Sequence, residues 1–323
     1  MTTLSSDRAA IRILRAGPLA TLQDAGRFGA RHLGITQGGA ADQHAWAWAN
    51  HLAGNPWGTG ALEITFGGLE LEAETDLWIA VTGADLGAAI GGRPLPRWQS
   101  VEWKAGERLA FKTPVNGLRA YLAVAGGFAA EAVLGSVASV GRESLGGFDG
   151  QGSALAAGDR LVVANRSSAM DHKPRQAPTD VIPDYRETAT LALIPGAQIA
   201  EFTGRSLYDA FNAEWQVDTR ADRMGVRLLG PKLHCNLTSM VSEGINLGSV
   251  QVPPDGQPIA LLNDRQTIGG YPRLGALSPL AVSRLAQCMP GQSVRLVAQG
   301  SDRALRAYRA FRESFMAAQP DHT

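Results

Sequence analysis

The segment NDRQTIGGYPR, residues 263–273, sets Asp264, Arg265, Gln266 and Thr267 directly behind the apolar run PIALL. An aspartate beside an arginine serves as a proton acceptor or as a structural ion pair. Gly269 and Gly270 lack a Cβ and let backbone come close to a ligand, while Tyr271 and Pro272 shape the exit. A plain turn is the simpler alternative. Three other segments carry similar chemistry. In QDAGRFG, Gln23, Asp24 and Arg27 offer an anion-binding fork beside a carboxylate, or a surface turn. In DRMGVRL, Arg223 and Arg227 stand four apart; they hold a carboxylate or phosphate if they face one side, and form a solvated ion-pair strand otherwise. In SEGINLGSVQVPPDGQPIALL, Glu243 precedes a glycine and Gln251 precedes the turn PPDG. A strand pair across that turn makes Glu243, Gln251 and Asp264 expected neighbours.

The elements that must position these groups read as short strands. AIRILRA opens with a strand, and a long polar, glycine-rich stretch, TLQDAGRFGARHLGITQGGAAD, follows; loops of that length are more often functional than idle. DQHAWAWANHLAGN reads as a helix capped by Asp42 and stopped at Gly54-Asn55-Pro56. From there alternating runs broken by Gly-Gly and Gly-Ala-Asp signal antiparallel strands. VEWKAGERLAF, ALAAGDRLVVA and GQSVRLVA repeat one turn-then-strand shape. SLYDAFNAEWQVDT reads as a short helix leading to a strand, and SPLAVSRLAQCMPG and SDRALRAYRAFRESFMAA read as helices, the last with Leu305, Tyr308, Phe311 and Phe315 near one face and docked on the barrel. The stretch 165–186, with three prolines and few large apolar residues, is the expected linker. Strands do not alternate with long helices, so two mainly β, barrel-like domains are favoured over a parallel α/β sheet. The expected division is residues 1–165, a linker at 166–186, residues 187–300, and a C-terminal helix and tail at 301–323.

Composition narrows the classes. The 323 residues are 45% hydrophobic and 19% charged, which suits a folded soluble chain. Thirty basic residues balance thirty acidic ones, giving no sign of nucleic-acid binding. No apolar run approaches the length of a membrane span, the N-terminus lacks a secretory h-region, and Cys235 and Cys288 form no metal spacing. A reducing, cytoplasmic setting is expected. The six histidines are scattered, so no metal site is expected on this chain. There is no P-loop, kinase signature or G-x-S-x-G elbow.

Several blocks, in order from about residue 10 to residue 300, resemble one family. They are TLQDAGRFGARHLGITQGGAADQHAWAWANHLAGNP, ALEITFGG, AVTGAD, RAYLAVAGGF, LGS, DRMGVRL and VQVPPDGQPIALLNDRQTIGGYPR. The family is that of the 5-oxoprolinase C subunit, also described as allophanate hydrolase subunit 2 or the biotin-dependent carboxyltransferase domain family. The resemblance implies two cyclophilin-like β-barrel subdomains with a cleft between them. It implies a polypeptide that acts with the B and A subunits of 5-oxoprolinase to convert 5-oxo-L-proline to L-glutamate with ATP and Mg²⁺, in part shared with a partner. The B and C subunits would phosphorylate the lactam and the A subunit would open it. On that basis Asp264, Arg265, Gln266 and Glu243 are expected to be catalytic. Gln23, Asp24, Arg27, Arg223, Arg227, Gln251, Thr267 and Tyr271 are expected to bind substrate or phosphate. Arg27, Arg223 and Arg265 would hold phosphate charge, and Asp24, Asp264 or Glu243 would hold Mg²⁺ or a proton. Two other roles known among relatives stay open: carboxyl transfer from carboxybiotin to urea, and regulation through a kinase inhibitor resembling the B subunit. No biotinyl-lysine motif stands on this chain. The chain departs from the family pattern at VASVGRES, at Gln151 and at Ile268, which leaves the loop 136–151 without an expected role.

Overall fold

Alternating apolar residues and tight glycine turns build sheet in both halves of the chain. The computed structural model describes residues 9–165, 172–237 and 240–316. These group into two compact units. The first holds the described residues through Arg27 and Gly38–Asp184; the second holds Phe28–Gln37 and the described residues from Tyr185 to Met316.

In the first unit one sheet has the order β11 (Arg160–Val162), β1 (Ala9–Arg15), β4 (Glu70–Ala73), β9 (Arg108–Ala110), β6 (Ala89–Ile90), β7 (Arg93–Pro94). The other has the order β2 (Leu19–Gln23), β3 (Ala61–Thr65), β10 (Asn116–Val124), β5 (Leu77–Asp85), β8 (Ser100–Trp103). Side chains alternate between the faces of a strand, so one register row of the second sheet is apolar and the next polar. Leu22, Leu62, Leu122 and Val81 lie in line and join Ile11, Ile13, Leu71 and Leu109 of the first sheet in one core. The neighbouring row is Thr21, Glu63, Tyr121 and Thr82, all buried. Helix α1 (Gln43–Leu52) is tied to that row: Thr82 Oγ1 donates to the Ala45 carbonyl at 2.6 Å, and the Asp42 N–H donates to Tyr121 Oη at 2.7 Å. Tyr121 Oη in turn donates to Glu63 Oε2 at 2.7 Å. Asp42 caps α1 as the sequence predicts, accepting from the Ala45 N–H, and Gly54 leaves the helix at φ 77°.

The second unit is a closed barrel in the order β12 (Ala189–Pro195), β19 (Arg273–Leu277), β16 (Ser249–Gln251), β17 (Ile259–Leu261), β14 (Gly225–Leu229), β13 (Trp215–Val217), β20 (Ser293–Ala298). Pairs are antiparallel except β12 with β20, whose parallel register closes the ring. Leu191, Leu193, Leu228, Val250, Leu274, Val294 and Leu296 fill it. The predicted helices are α2 (Gly204–Asn212), α3 (Pro279–Leu285, capped by Ser278) and α4 (Ser301–Met316). A ribbon of β15 (Glu243–Gly244) and β18 (Ile268–Gly269) completes the described strands.

Two expectations change. Residues 166–171 of the expected linker lie outside the described residues. The part after them is tied down in the first unit, where the Ser100 N–H donates to the Arg175 carbonyl at 2.8 Å and Gln99 bridges Gln176. On α4 the apolar stripe is only half covered: Ala304 and Phe315 are buried, whereas Leu305 is 46% exposed.

Candidate functional site

Beyond β17 the chain continues antiparallel to the entry of β14: the Leu262 N–H donates to the Met224 carbonyl and the Asp264 N–H to the Arg223 carbonyl, both at 2.9 Å. That pairing sets the two side chains face to face. Arg223 Nε donates to Asp264 Oδ2 at 2.9 Å and Nη2 to Oδ1 at 3.0 Å, a bidentate pair with both partners buried.

Arg265, the next residue, is 3% exposed and pairs with no carboxylate among the described residues. Its guanidinium donates to carbonyl-type oxygens alone: Leu262 O at 3.2 Å, Ile245 O at 3.4 Å and Gln37 Oε1 at 3.4 Å. Arg31 Nη2 donates to the same Ile245 carbonyl and Nη1 to Asn246 Oδ1 at 3.3 Å. Two guanidiniums therefore converge on one peptide oxygen. Burial, and then the Arg31 charge, pull Arg265 down from the usual arginine range to about 10, with Asp264 opposing. Arg31, Arg223 and Arg265 face one carboxylate, so the cluster carries surplus positive charge. Such a cluster is chemically an anion site, suited to phosphoryl or carboxylate oxygens.

Arg31 is not among the residues that the sequence singles out. It sits in the long glycine-rich loop, whose segment Phe28–Gln37 belongs to the second unit, where Thr36 Oγ1 donates to the Arg265 carbonyl at 3.2 Å. Loop length is the available signal; a lone arginine has no spacing to read.

The remaining predicted residues of this unit spread out. Glu243 pairs with Arg273 on the exposed ribbon, not with Asp264. Arg227 pairs with Asp255 while Arg223 pairs with Asp264, so the two arginines four apart do not share a partner. Gln251 is 3% exposed, and among the described residues its Nε2 has no hydrogen-bond partner. A Cβ on Gly269 would stand 2.6 Å from that nitrogen and 2.4 Å from Ile245 Cδ1. The glycine thus lets the ribbon lie on its own barrel, which corrects the expectation of a close approach to ligand. Gln266 and Thr267 are half-buried, Thr267 O accepting from the Ile245 N–H at 2.9 Å; Ile268 and Tyr271 are exposed.

Gln23, Asp24 and Arg27 belong to the first unit. Arg27 is not an exposed fork. It is 1% exposed and its guanidinium donates to the carbonyls of Val133, Ser136 and Ala138 at 2.8, 3.4 and 3.2 Å. Asp24 binds the same loop, accepting from Ser136 Oγ and the Val137 N–H, each at 2.8 Å. Gln23 Nε2 donates to the Ser139 carbonyl at 3.0 Å. Together they fasten residues 133–139, of which Gly135, Ser136 and Val137 wall a pocket of about 510 Å³ that Asp24 also lines. Among the described residues no group of three or more His, Cys, Asp or Glu could hold a metal. Asp264 spends both oxygens on Arg223, so it does not fit a resident Mg²⁺.

The model of the carboxyltransferase domain, subdomain A and B, matches residues 33–298. The chain belongs to this carboxyltransferase domain family. Among its relatives, the 5-oxoprolinase C subunit of Escherichia coli is 40% identical over 299 residues, covering 92% of this chain and 94% of that protein. A putative urea carboxylase of Emericella nidulans is 31% identical, covering 89% of this chain and 24% of that protein. The crystal structure of the K. lactis urea amidolyase shares the fold at a TM-score of 0.90 and 24% identity, over 98% of this chain and 20% of that one. The mainly β fold with its closed barrel is therefore that of the carboxyltransferase domain family. No helix among the described residues is long and apolar enough to cross a membrane, and neither cysteine forms a disulfide.

Proposed function

We propose that this chain is the C subunit of an ATP-dependent 5-oxoprolinase, acting with B and A subunits to convert 5-oxo-L-proline to L-glutamate in the cytoplasm. The observation that carries the proposal is the pair Arg31 and Arg265, two guanidiniums without a carboxylate partner among the described residues, on a chain 40% identical to a 5-oxoprolinase C subunit. A lactam carbonyl is a poor electrophile. Moving a phosphoryl group onto its oxygen creates a leaving group, and the transfer is sped by fixed cations around the phosphoryl oxygens. Arg31 and Arg265 supply such cations, and the Arg223–Asp264 pair braces the strand exit that carries Arg265. Mg²⁺ enters as the counter-ion of the triphosphate, and no step is assigned to a metal held by this chain. In the complex reconstituted with its partner subunits, Arg31→Met and Arg265→Met are expected to lower kcat/KM for ATP-dependent glutamate formation by about 100-fold each, the scale of one lost transition-state donor. Folded variants with near-normal turnover would contradict the assignment.

A second reading is favoured by the family match and the urea carboxylase relative: transfer of a carboxyl group to a urea-like amide. The same complex supplied with urea and carboxybiotin separates the two, since carboxylated urea accumulates only in the second.

A further inference from the structure

The pocket of the first unit has a volume of about 510 Å³, within the range of about 300–1,000 Å³ typical of small-molecule sites. Its wall mixes Phe128, Pro56 and Val137 with the polar groups of Thr59, Ser136 and Asp24. Among the described residues Asp24 is the one ionisable side chain in that wall, and it is 6% exposed. Its Oδ1 accepts from the Gly26 N–H and from Ser136 Oγ, and its Oδ2 from the Val137 N–H, each at 2.8 Å. Among the described residues no lysine or arginine pairs with it; the nearby Arg27 gives its hydrogen bonds to backbone carbonyls. A carboxylate offers about four lone-pair sites, and three are filled. One acceptor position remains, on Oδ2.

The three donors already disperse the carboxylate's charge, so its missing partner need not be a cation. A neutral N–H completes the set, and the apolar wall beside it suits a small uncharged ring or plane. Glycine keeps the room open: a Cβ on Gly127 would stand 2.6 Å from Thr59 Cγ2, and Gly58 and Gly135, also in the wall, have nothing within 4 Å of theirs.

We infer that this pocket binds the amide end of the substrate, a lactam or urea-like group whose N–H donates to Asp24 Oδ2. The inference rests on the proposal that the substrate is a small amide. It gives Asp24 a defined task, because phosphorylating a lactam oxygen releases the amide proton. The N–H bond breaks and its proton passes to the carboxylate. The freed pair closes a C=N bond, the oxygen bonds to the γ-phosphorus of a nucleoside triphosphate, and the nucleoside diphosphate leaves.

The test is binding to the full chain alone, read by NMR titration with 2-pyrrolidinone and with N-methyl-2-pyrrolidinone. The N–H lactam is expected to bind about tenfold more tightly than its N-methyl analogue, the value of one hydrogen bond to a charged acceptor. Ala132 lies exposed in the wall of the pocket, so Ala132→Trp should block entry without disturbing the core and weaken binding by a similar factor. Asp24→Asn, checked for native circular dichroism, should erase the preference for the N–H lactam. Equal affinity for the two lactams, no binding of either at tens of millimolar, or unchanged binding in Ala132→Trp overturns the inference. No nucleotide or partner subunit enters this measurement, so its failure is distinguishable from a failure of the oxoprolinase assay.

Discussion

Replacing Arg265 by methionine should leave the protein as stable as before or slightly more stable, while removing its response to anions. Arg265 sits near 10 instead of 12.5, and at 1.36 kcal/mol per pKa unit about 3 kcal/mol opposes its charged form at neutral pH. A base whose folded pKa is depressed binds fewer protons folded than unfolded. The penalty is therefore constant below about pH 10 and is relieved as pH rises from there toward 12.5. Methionine removes the charge and keeps the apolar stem. It leaves the Leu262 carbonyl and Gln37 Oε1 without this donor, at a cost of about 1 kcal/mol each, while Ile245 O keeps Arg31. The net expectation is a change between zero and a gain of about 1 kcal/mol. Arg223→Met is the contrast, since it removes the bidentate cation from the buried Asp264 carboxylate and should cost about 3–5 kcal/mol. Urea denaturation at pH 7 reads both. Phosphate or sulfate at 100 times its Kd should stabilise the wild-type protein by about 2.7 kcal/mol and leave Arg265→Met unmoved. A loss in Arg265→Met equal to that in Arg223→Met would refute the reasoning, as would equal anion stabilisation of wild type and variant.

Tyr121→Phe removes the hydroxyl between the Asp42 N–H and Glu63 Oε2 in a fully buried setting, and should cost about 1–3 kcal/mol by thermal denaturation. Gly269→Ala should cost about 1–3 kcal/mol through its clash with Ile245 and Gln251, whereas Gly244→Ala across the ribbon, with nothing within 4 Å, should be close to neutral. Burial lowers the pKa of His44, His51 and His172; Asp42 opposes this at His44, and Arg175 adds to it at the other two. Each depressed histidine binds its proton more readily unfolded, so stability is full above pH 6.5 and falls as pH drops below it. Urea midpoints at pH 7, 6 and 5 should decline in that order, and His44→Gln should flatten the decline; a flat wild-type profile would show that these histidines do not titrate on unfolding.

The fold was legible where the signal is local. Asp42 and Ser278 cap helices whose starts they announce, Gly54 ends one, and the turn PPDG joins β16 to β17 as expected. The candidate site was legible only in its anchors. Arg223, Asp264 and Arg265 stand on or beside strands, so their neighbours follow from strand pairing. Arg31 comes to Ile245 from more than 200 positions away along the chain, through a loop whose path no periodicity encodes. Arg27 misled because residue type does not reveal direction: a guanidinium can serve substrate or satisfy buried carbonyls, and here it does the latter. Glu243, Gln251 and Asp264 separated because the segment Glu243–Gly244 pairs with β18 instead of extending β16.

The oxoprolinase proposal is tested most directly by combining this chain with its B and A partner subunits, 5-oxo-L-proline, ATP and Mg²⁺, and measuring glutamate and phosphate with and without the chain. It predicts that both products form together and that both vanish when this chain is left out. Undiminished glutamate formation in its absence, or no ATP-dependent glutamate from the complete set, would contradict it.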